Sequence, residues 1–291
     1  MFGSHIDYHL LRPLTHARGL QARPMETPAV TDKPRARLQK LIDRLGGRLP
    51  LDPDKRYLDI GCGPGDLTLA LARASGGHVT GIDVVQRYVD RAREDALRDD
   101  VAERAQFFCT DIHDWDSSEL YDVILSHEAL EHIRDVRGLL NGMAKRLRPG
   151  GSAILAFGPL FYSPVGDHMD AFFRIRIPWR GALFSEQALL RLRRERFRPD
   201  DAASRYQDIT GSLNMMRYSE FLAYVAETGW QFRFLSVNSQ LAGRPWLLRL
   251  SNVAVRIPVV RDYIATSVYA VLMRPVESRQ RPRTMPRPYP R

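Results

Sequence analysis

Between residues 57 and 157 short apolar runs alternate with amphipathic stretches, and that rhythm restricts the fold more than any other feature of the chain. Tyr57-Leu58-Asp59-Ile60 reads as a buried strand, and helical periodicity follows over residues 67–75, closed by Gly76-Gly77. The signals then repeat. A strand is expected over 78–84, a charged amphipathic helix over 86–97, strands over 105–110 and 121–126, a helix over 133–147 and a strand over 152–157. Strands separated by helices pair in parallel, and the helices then cover both faces of the sheet. The expected fold class is therefore α/β, with a mostly parallel sheet.

After Gly158 the rhythm breaks. Residues 159–212 hold Phe, Tyr, Trp and Arg without a clear strand. A helix at 217–227 and a strand at 230–237 restore it, residues 238–263 interrupt again, and a last strand is expected over 265–273. One domain over 31–273 with two inserts follows from this pattern. Its first helix is expected over 32–45, opened by Asp32 and Pro34 and closed by Gly46-Gly47. Residues 1–30 contain three prolines and little periodicity, and read as an irregular arm. Residues 274–291 carry six arginines, five prolines and little that could pack, so disorder is expected there.

The two cysteines, Cys62 and Cys109, form no CxxC pair and suit neither a zinc site nor a three-cysteine iron–sulfur cluster. A reduced, cytoplasmic setting is expected. Met1-Phe2-Gly3-Ser4-His5 lacks the basic-then-apolar design of a signal peptide, and no apolar run is long enough to span a bilayer. The net charge is +9, with only four lysines among 43 basic residues. The basic tail could touch nucleic acid or anionic lipid, or simply be a solvated end.

Asp59-Ile60-Gly61-Cys62-Gly63-Pro64-Gly65-Asp66 follows a strand and opens a helix. Glycines there let the backbone turn sharply and approach a ligand closely. A dinucleotide fingerprint would need a third glycine where Asp66 stands, and a carboxylate there would repel a pyrophosphate. Asp83 ends the second strand and suits a ribose diol; Asp111, at the end of the third, with Ile112 beside it, suits an adenine amino group and ring face. Three successive strands thus end in nucleoside-binding chemistry, at the edge where open α/β sheets take ligands.

Leu58-Asp59-Ile60-Gly61-Cys62-Gly63-Pro64-Gly65, then Gly81-Ile82-Asp83, Asp111-Ile112, Tyr121-Asp122-Val123-Ile124 and Leu147-Arg148-Pro149-Gly150-Gly151, resemble as an ordered set the class I S-adenosylmethionine-dependent methyltransferases. The resemblance covers residues 35–158 strongly and 213–273 weakly. It implies a Rossmann-like seven-stranded sheet, mostly parallel, with an antiparallel last strand and insertions after strands five and six. It also implies that Gly61, Gly63 and Gly65 line the methionine part of the cofactor, that Asp83 holds the ribose, that Asp111 and Ile112 hold the adenine, and that Asp59 supports the loop and faces the cofactor's cationic end.

Past the fourth strand stands Ser126-His127-Glu128-Ala129-Leu130-Glu131-His132. The Asn/Asp-Pro-Pro-aromatic motif usual in nucleic-acid and glutamine N-methyltransferases is missing. Glu128, Glu131 and His132 are similar to a piece of the ubiquinone-pathway O-methyltransferases, where such residues have been linked to a divalent metal; here a metal is not the favoured reading. His132, His127 and His168 are the base candidates, with caps of the following helix as the structural alternative for the first two. Asp167 is a further candidate for touching the acceptor. Phe172, Phe173, Ile175, Ile177 and Trp179, interleaved with Arg174, Arg176 and Arg180, read as a hydrophobic lid, a strand, or an amphipathic surface for a lipid-like acceptor; Trp246-Leu247-Leu248 invites the same choice. The expected partner is a small-molecule acceptor, with O-methylation favoured. The alternative is nucleic-acid binding or modification through the basic tail.

Overall fold

The computed structural model describes residues 4–16, 33–209 and 211–274. Seven strands form one sheet: β1 (Arg56–Ile60), β2 (His78–Asp83), β3 (Ala105–Cys109), β4 (Tyr121–His127), β5 (Leu147–Phe157), β6 (Gln231–Val237) and β7 (Val268–Met273). Their order is β3-β2-β1-β4-β5-β7-β6. Strands β1 to β5 pair in parallel, whereas β7 runs antiparallel to both β5 and β6. This is the Rossmann-like seven-stranded, mostly parallel sheet expected from the sequence.

Ten helices complete the described fold: α1 (Ser4–Leu11), α2 (Lys33–Arg44), α3 (Asp66–Ser75), α4 (Gln86–Arg98), α5 (Val136–Arg146), α6 (Arg180–Leu183), α7 (Glu186–Arg196), α8 (Tyr218–Glu227), α9 (Pro245–Ala254) and α10 (Arg261–Ile264). Side chains of the central strands point alternately to two apolar layers. Leu58, Ile60 and Ile124 pack with α5 and α8; Tyr57, Val123 and Leu125 pack with α2, α3 and α4. Burial on both faces is why β1 and β4 read as nearly continuous apolar runs. The chain order reverses between β1 and β4, which opens a crevice at their carboxyl ends.

Several expectations need correction. Helix α5 starts at Val136 rather than 133, because the Asp135 side chain accepts the Gly138 N–H at 2.8 Å and caps the helix there. Of the arm, residues 4–14 are not irregular: they form α1 and a 3₁₀ turn, with Tyr8 and Leu11 buried. The first insert contains α7, unforeseen in the sequence, and α1 lies against it. Asp7 accepts the Ser185 N–H at 2.8 Å, Tyr8 donates to Glu195, and the Arg191 guanidinium sits 3.8 Å from the Tyr8 ring centroid. A third apolar cluster, including Tyr8, Phe161, Phe173, Leu189 and Tyr206, binds arm and insert into one unit.

Residues 172–179 form neither a strand nor an amphipathic stripe. Phe173 is buried and makes a single bridge to Thr15, while Ile175 faces solvent. Arg180 is wholly buried, clamped by Asp167 through two 2.8 Å bonds and by Asp170 at 2.6 Å. Asp167 therefore holds the insert together and is withdrawn from any acceptor. The expected tail lies outside the described residues except for Arg274.

Candidate functional site

The turn after β1 is built by its glycines. Gly61 and Gly65 adopt φ of +73° and +85°, a region that L side chains rarely occupy. A Cβ on Gly61 would lie 2.5 Å from the Ala129 Cβ, and one on Gly65 would lie 2.7 Å from the Ala92 Cβ. Those two glycines let the loop press against neighbouring elements. Gly63 differs: its Cβ direction meets nothing within 4 Å. The loop thus offers one open backbone face, flanked by two closed ones.

Asp83 is tied into that loop. Its Oδ2 accepts the Gly63 N–H at 2.8 Å and its Oδ1 accepts the Val85 N–H at 2.9 Å. Each carboxylate oxygen keeps a second lone-pair direction, and the residue is only half-buried, so two hydroxyls could still be received. Asp111 accepts the His113 N–H at 2.8 Å and leaves nearly half of its side chain in solvent. Ile112 departs from expectation. Its side chain is buried against Gly142 of α5, so it serves the core rather than presenting a face to a ring. Its backbone N–H, however, has no hydrogen-bond partner among the described residues.

Asp59 is buried beneath the loop, where Thr68 Oγ1 donates to its Oδ2 at 2.7 Å. Loss of solvent pushes its carboxyl up to about 6, with a smaller push from the charge of Asp83. A cation brought near would favour the ionised form.

On the opposite side of the crevice stand the residues after β4. Glu128 pairs with Arg37 of α2. His127 is driven down to about 4 by burial, while Glu128 opposes that shift and Arg37 and Lys40 reinforce it. A base that weak is neutral near pH 7. Glu131 is buried. Its Oε1 receives the Gly158 N–H at 3.4 Å and its Oε2 has no partner, and burial pushes it up to about 7. His132 is exposed, with Nδ1 2.7 Å from the Ser212 carbonyl oxygen. Its ring meets that of His168 edge-on, at 6.0 Å between centroids. His168 is held below the usual imidazole range, chiefly by desolvation.

The three histidines are therefore not equivalent. His132 and His168 come together, although 36 positions separate them, whereas His127 interacts with the charges of α2. Glu128, Glu131 and His132 point to different partners, and among the described residues no His, Cys, Asp or Glu group is arranged to hold a metal ion. The Arg37–Glu128 pair was not foreseen. It joins residues 91 positions apart, and nothing local to either marks it.

Residues 58–151 match the model of a family described as a methyltransferase domain. That match takes in 94 of the chain's 291 residues. The chain is 38% identical over 133 residues to the 27-O-demethylrifamycin SV methyltransferase of Amycolatopsis mediterranei, covering 45% of this chain and 49% of that protein. It is also 38% identical over 120 residues to the ubiquinone biosynthesis O-methyltransferase of Aeromonas salmonicida, covering 41% and 48%. The chain thus spans about half the length of the curated relatives it matches. Among solved structures, the geranyl diphosphate C-methyltransferase of Streptomyces coelicolor superposes with a TM-score of 0.55 at 15% identity, over 94% of this chain and 97% of that one. That likeness is one of fold.

Proposed function

We propose that the protein transfers a methyl group from S-adenosylmethionine to a small-molecule acceptor, with a hydroxyl acceptor favoured. The observation that carries this is the carboxyl edge of β1, β2 and β3. It holds an open glycine face at Gly63, a half-buried Asp83 with unused lone pairs, and Asp111 beside the Ile112 N–H, which has no partner among the described residues. Asp83 would receive the ribose hydroxyls, Asp111 and the Ile112 N–H the adenine edge, and Gly61, Gly63 and Gly65 the methionine portion. Asp59 would answer the cofactor's positive charge from below. The hydroxyl preference rests on the rifamycin and ubiquinone relatives, whose names specify O-methylation.

The cofactor supplies a sulfonium-activated methyl group. What remains for the protein is to hold the acceptor oxygen in line with it and to take its proton. The His132–His168 pair suits proton removal, because His132 is anchored through Nδ1 and exposed, and desolvation favours the neutral form of His168. His127, driven down to about 4 by burial, is the weaker candidate.

Calorimetry with S-adenosylhomocysteine tests the cofactor assignment. Incubation with methyl-labelled cofactor and a panel of phenols, quinols, glycans and lipids, with and without a chelator, tests the acceptor. Binding of a nicotinamide dinucleotide in preference to S-adenosylhomocysteine would overturn the reading. The nucleic-acid alternative rests on the tail, which apart from Arg274 lies outside the described residues.

A further inference from the structure

Helix α9 presents to solvent the side chains that an amphipathic helix normally hides. Trp246, Leu250 and Val253, spaced i, i+4 and i+7, are 63%, 60% and 62% exposed. Ile257 and Val259 extend the stripe into the following turn, and Val259 is 81% exposed. The opposite face of α9 is already used: Ser251 is buried, and Leu247 and Leu248 are partly covered. Single exposed apolar residues need no explanation, but a contiguous row marks a docking surface.

Along the segment that carries the stripe the charge has one sign. Residues 238–261 contain Arg244, Arg249, Arg256 and Arg261, and no aspartate, glutamate or lysine. Arg244, Arg249 and Arg256 are exposed, and none has an ion-pair partner among the described residues. On the helical wheel Arg249 flanks the Trp246–Leu250–Val253 row, and Arg256 continues that edge past the end of α9. A two-fold contact between copies would set this patch against itself and bring like charges together with no acid to balance them. An anionic bilayer surface accepts both parts at once: the apolar row enters the headgroup boundary, with tryptophan at the interface, and the arginines meet lipid phosphates.

We propose that α9 and the turn after it form a docking face for an anionic lipid bilayer. No described helix is long and apolar enough to cross one, so the association is peripheral. The segment that follows the face is tied to the first insert: Trp179 Nε1 donates to the Tyr263 carbonyl oxygen of α10 at 2.7 Å, and Leu160 N–H donates to the Thr266 carbonyl at 2.9 Å. Docking thus holds that insert at the membrane surface, and it requires nothing of the methyl-transfer assignment.

Flotation of the full chain with vesicles of phosphatidylcholine, with and without phosphatidylglycerol, tests this directly. The wild-type chain is expected to float with the anionic vesicles and to be released by salt. A triple variant, Trp246→Ser with Leu250→Ser and Val253→Ser, should lose at least about tenfold in partitioning. Arg249→Gln and Arg256→Gln should each lose about fivefold on anionic vesicles and nothing on neutral ones. Circular dichroism establishes that each variant is folded. The basic tail is present in every variant, so it cannot produce these differences. The proposal is overturned if the triple variant floats like the wild type, if the wild type fails to float, or if sedimentation shows a wild-type dimer that the triple substitution dissociates.

Discussion

The Gly63 N–H donates to Asp83 Oδ2 at 2.8 Å, so the loop after β1 is held by the residue that ends β2. The other oxygen of Asp83 receives the Val85 N–H and fixes the start of α4. One carboxylate therefore positions two backbone turns, and it shapes the crevice at the end of the sheet.

Replacing Asp83 by alanine removes both anchors and the proposed ribose acceptor. Affinity for S-adenosylhomocysteine is expected to fall by about a hundredfold or more, since two hydrogen bonds to a charged group are lost at ~1.5 kcal/mol or more each. Calorimetry reads this; unchanged affinity would remove Asp83 from the site.

Gly61→Ala and Gly63→Ala should separate packing from binding. Both glycines lie at positive φ, so each alanine costs about 1 kcal/mol in backbone strain. Only at Gly61 does the new Cβ also collide with Ala129, and overpacking there should add roughly 1–3 kcal/mol. Urea denaturation should show the larger loss for Gly61→Ala. Gly63→Ala should keep most of its stability and lose cofactor affinity, because its Cβ projects into the open face.

The carboxyl of Asp59 is raised in the folded state, from an ordinary 3.8 to about 6. Below the ordinary value both folded and unfolded states are protonated. As pH rises between about 4 and 6 the unfolded chain releases this proton first, so stability falls, and above about 6 the cost of up to ~3 kcal/mol is complete. Asp59→Asn cannot ionise and can still accept the Thr68 hydroxyl. Its stability relative to the wild type should therefore grow as pH rises from 4 to 7 and then level off. Thermal melts of both proteins across that range measure it; a constant difference would refute the buried-acid account.

Arg180→Met leaves Asp167 buried without its guanidinium. Breaking a buried pair on one side costs about 3–5 kcal/mol, more than the pair itself contributes. Because α1, the 167–170 turn and α7 share one apolar cluster, the loss should release the arm as well as the insert. Limited proteolysis should cut near residue 174 before the sheet unfolds. If the sheet and the insert melt together, the two form a single cooperative unit.

His132→Ala and His168→Ala should each lower turnover by roughly a hundredfold while leaving S-adenosylhomocysteine affinity intact. The rings touch, so the double variant should lose less than the product of the two single losses. Equal loss of cofactor affinity in either variant would instead assign a structural role.

The sheet and its two covered faces were legible in the order of the residues. Strand and helix periodicity are local, and Asp59, Asp83 and Asp111 each stand at a fixed offset from a strand end, where backbone geometry alone places them. The cap at Asp135 was equally local, but the Ile133 that precedes it obscured the boundary. Packing alone settled whatever joins distant segments. Arg37 reaches Glu128, His132 meets His168, Asp7 caps the approach to Ser185 across 178 positions, and Asp167 turns inward to Arg180 instead of outward. No periodicity encodes such pairs, because they depend on how finished elements pack. The exposed row of α9 belongs to the same class: i, i+4, i+7 spacing specifies an apolar face, and only the packed fold leaves that face uncovered.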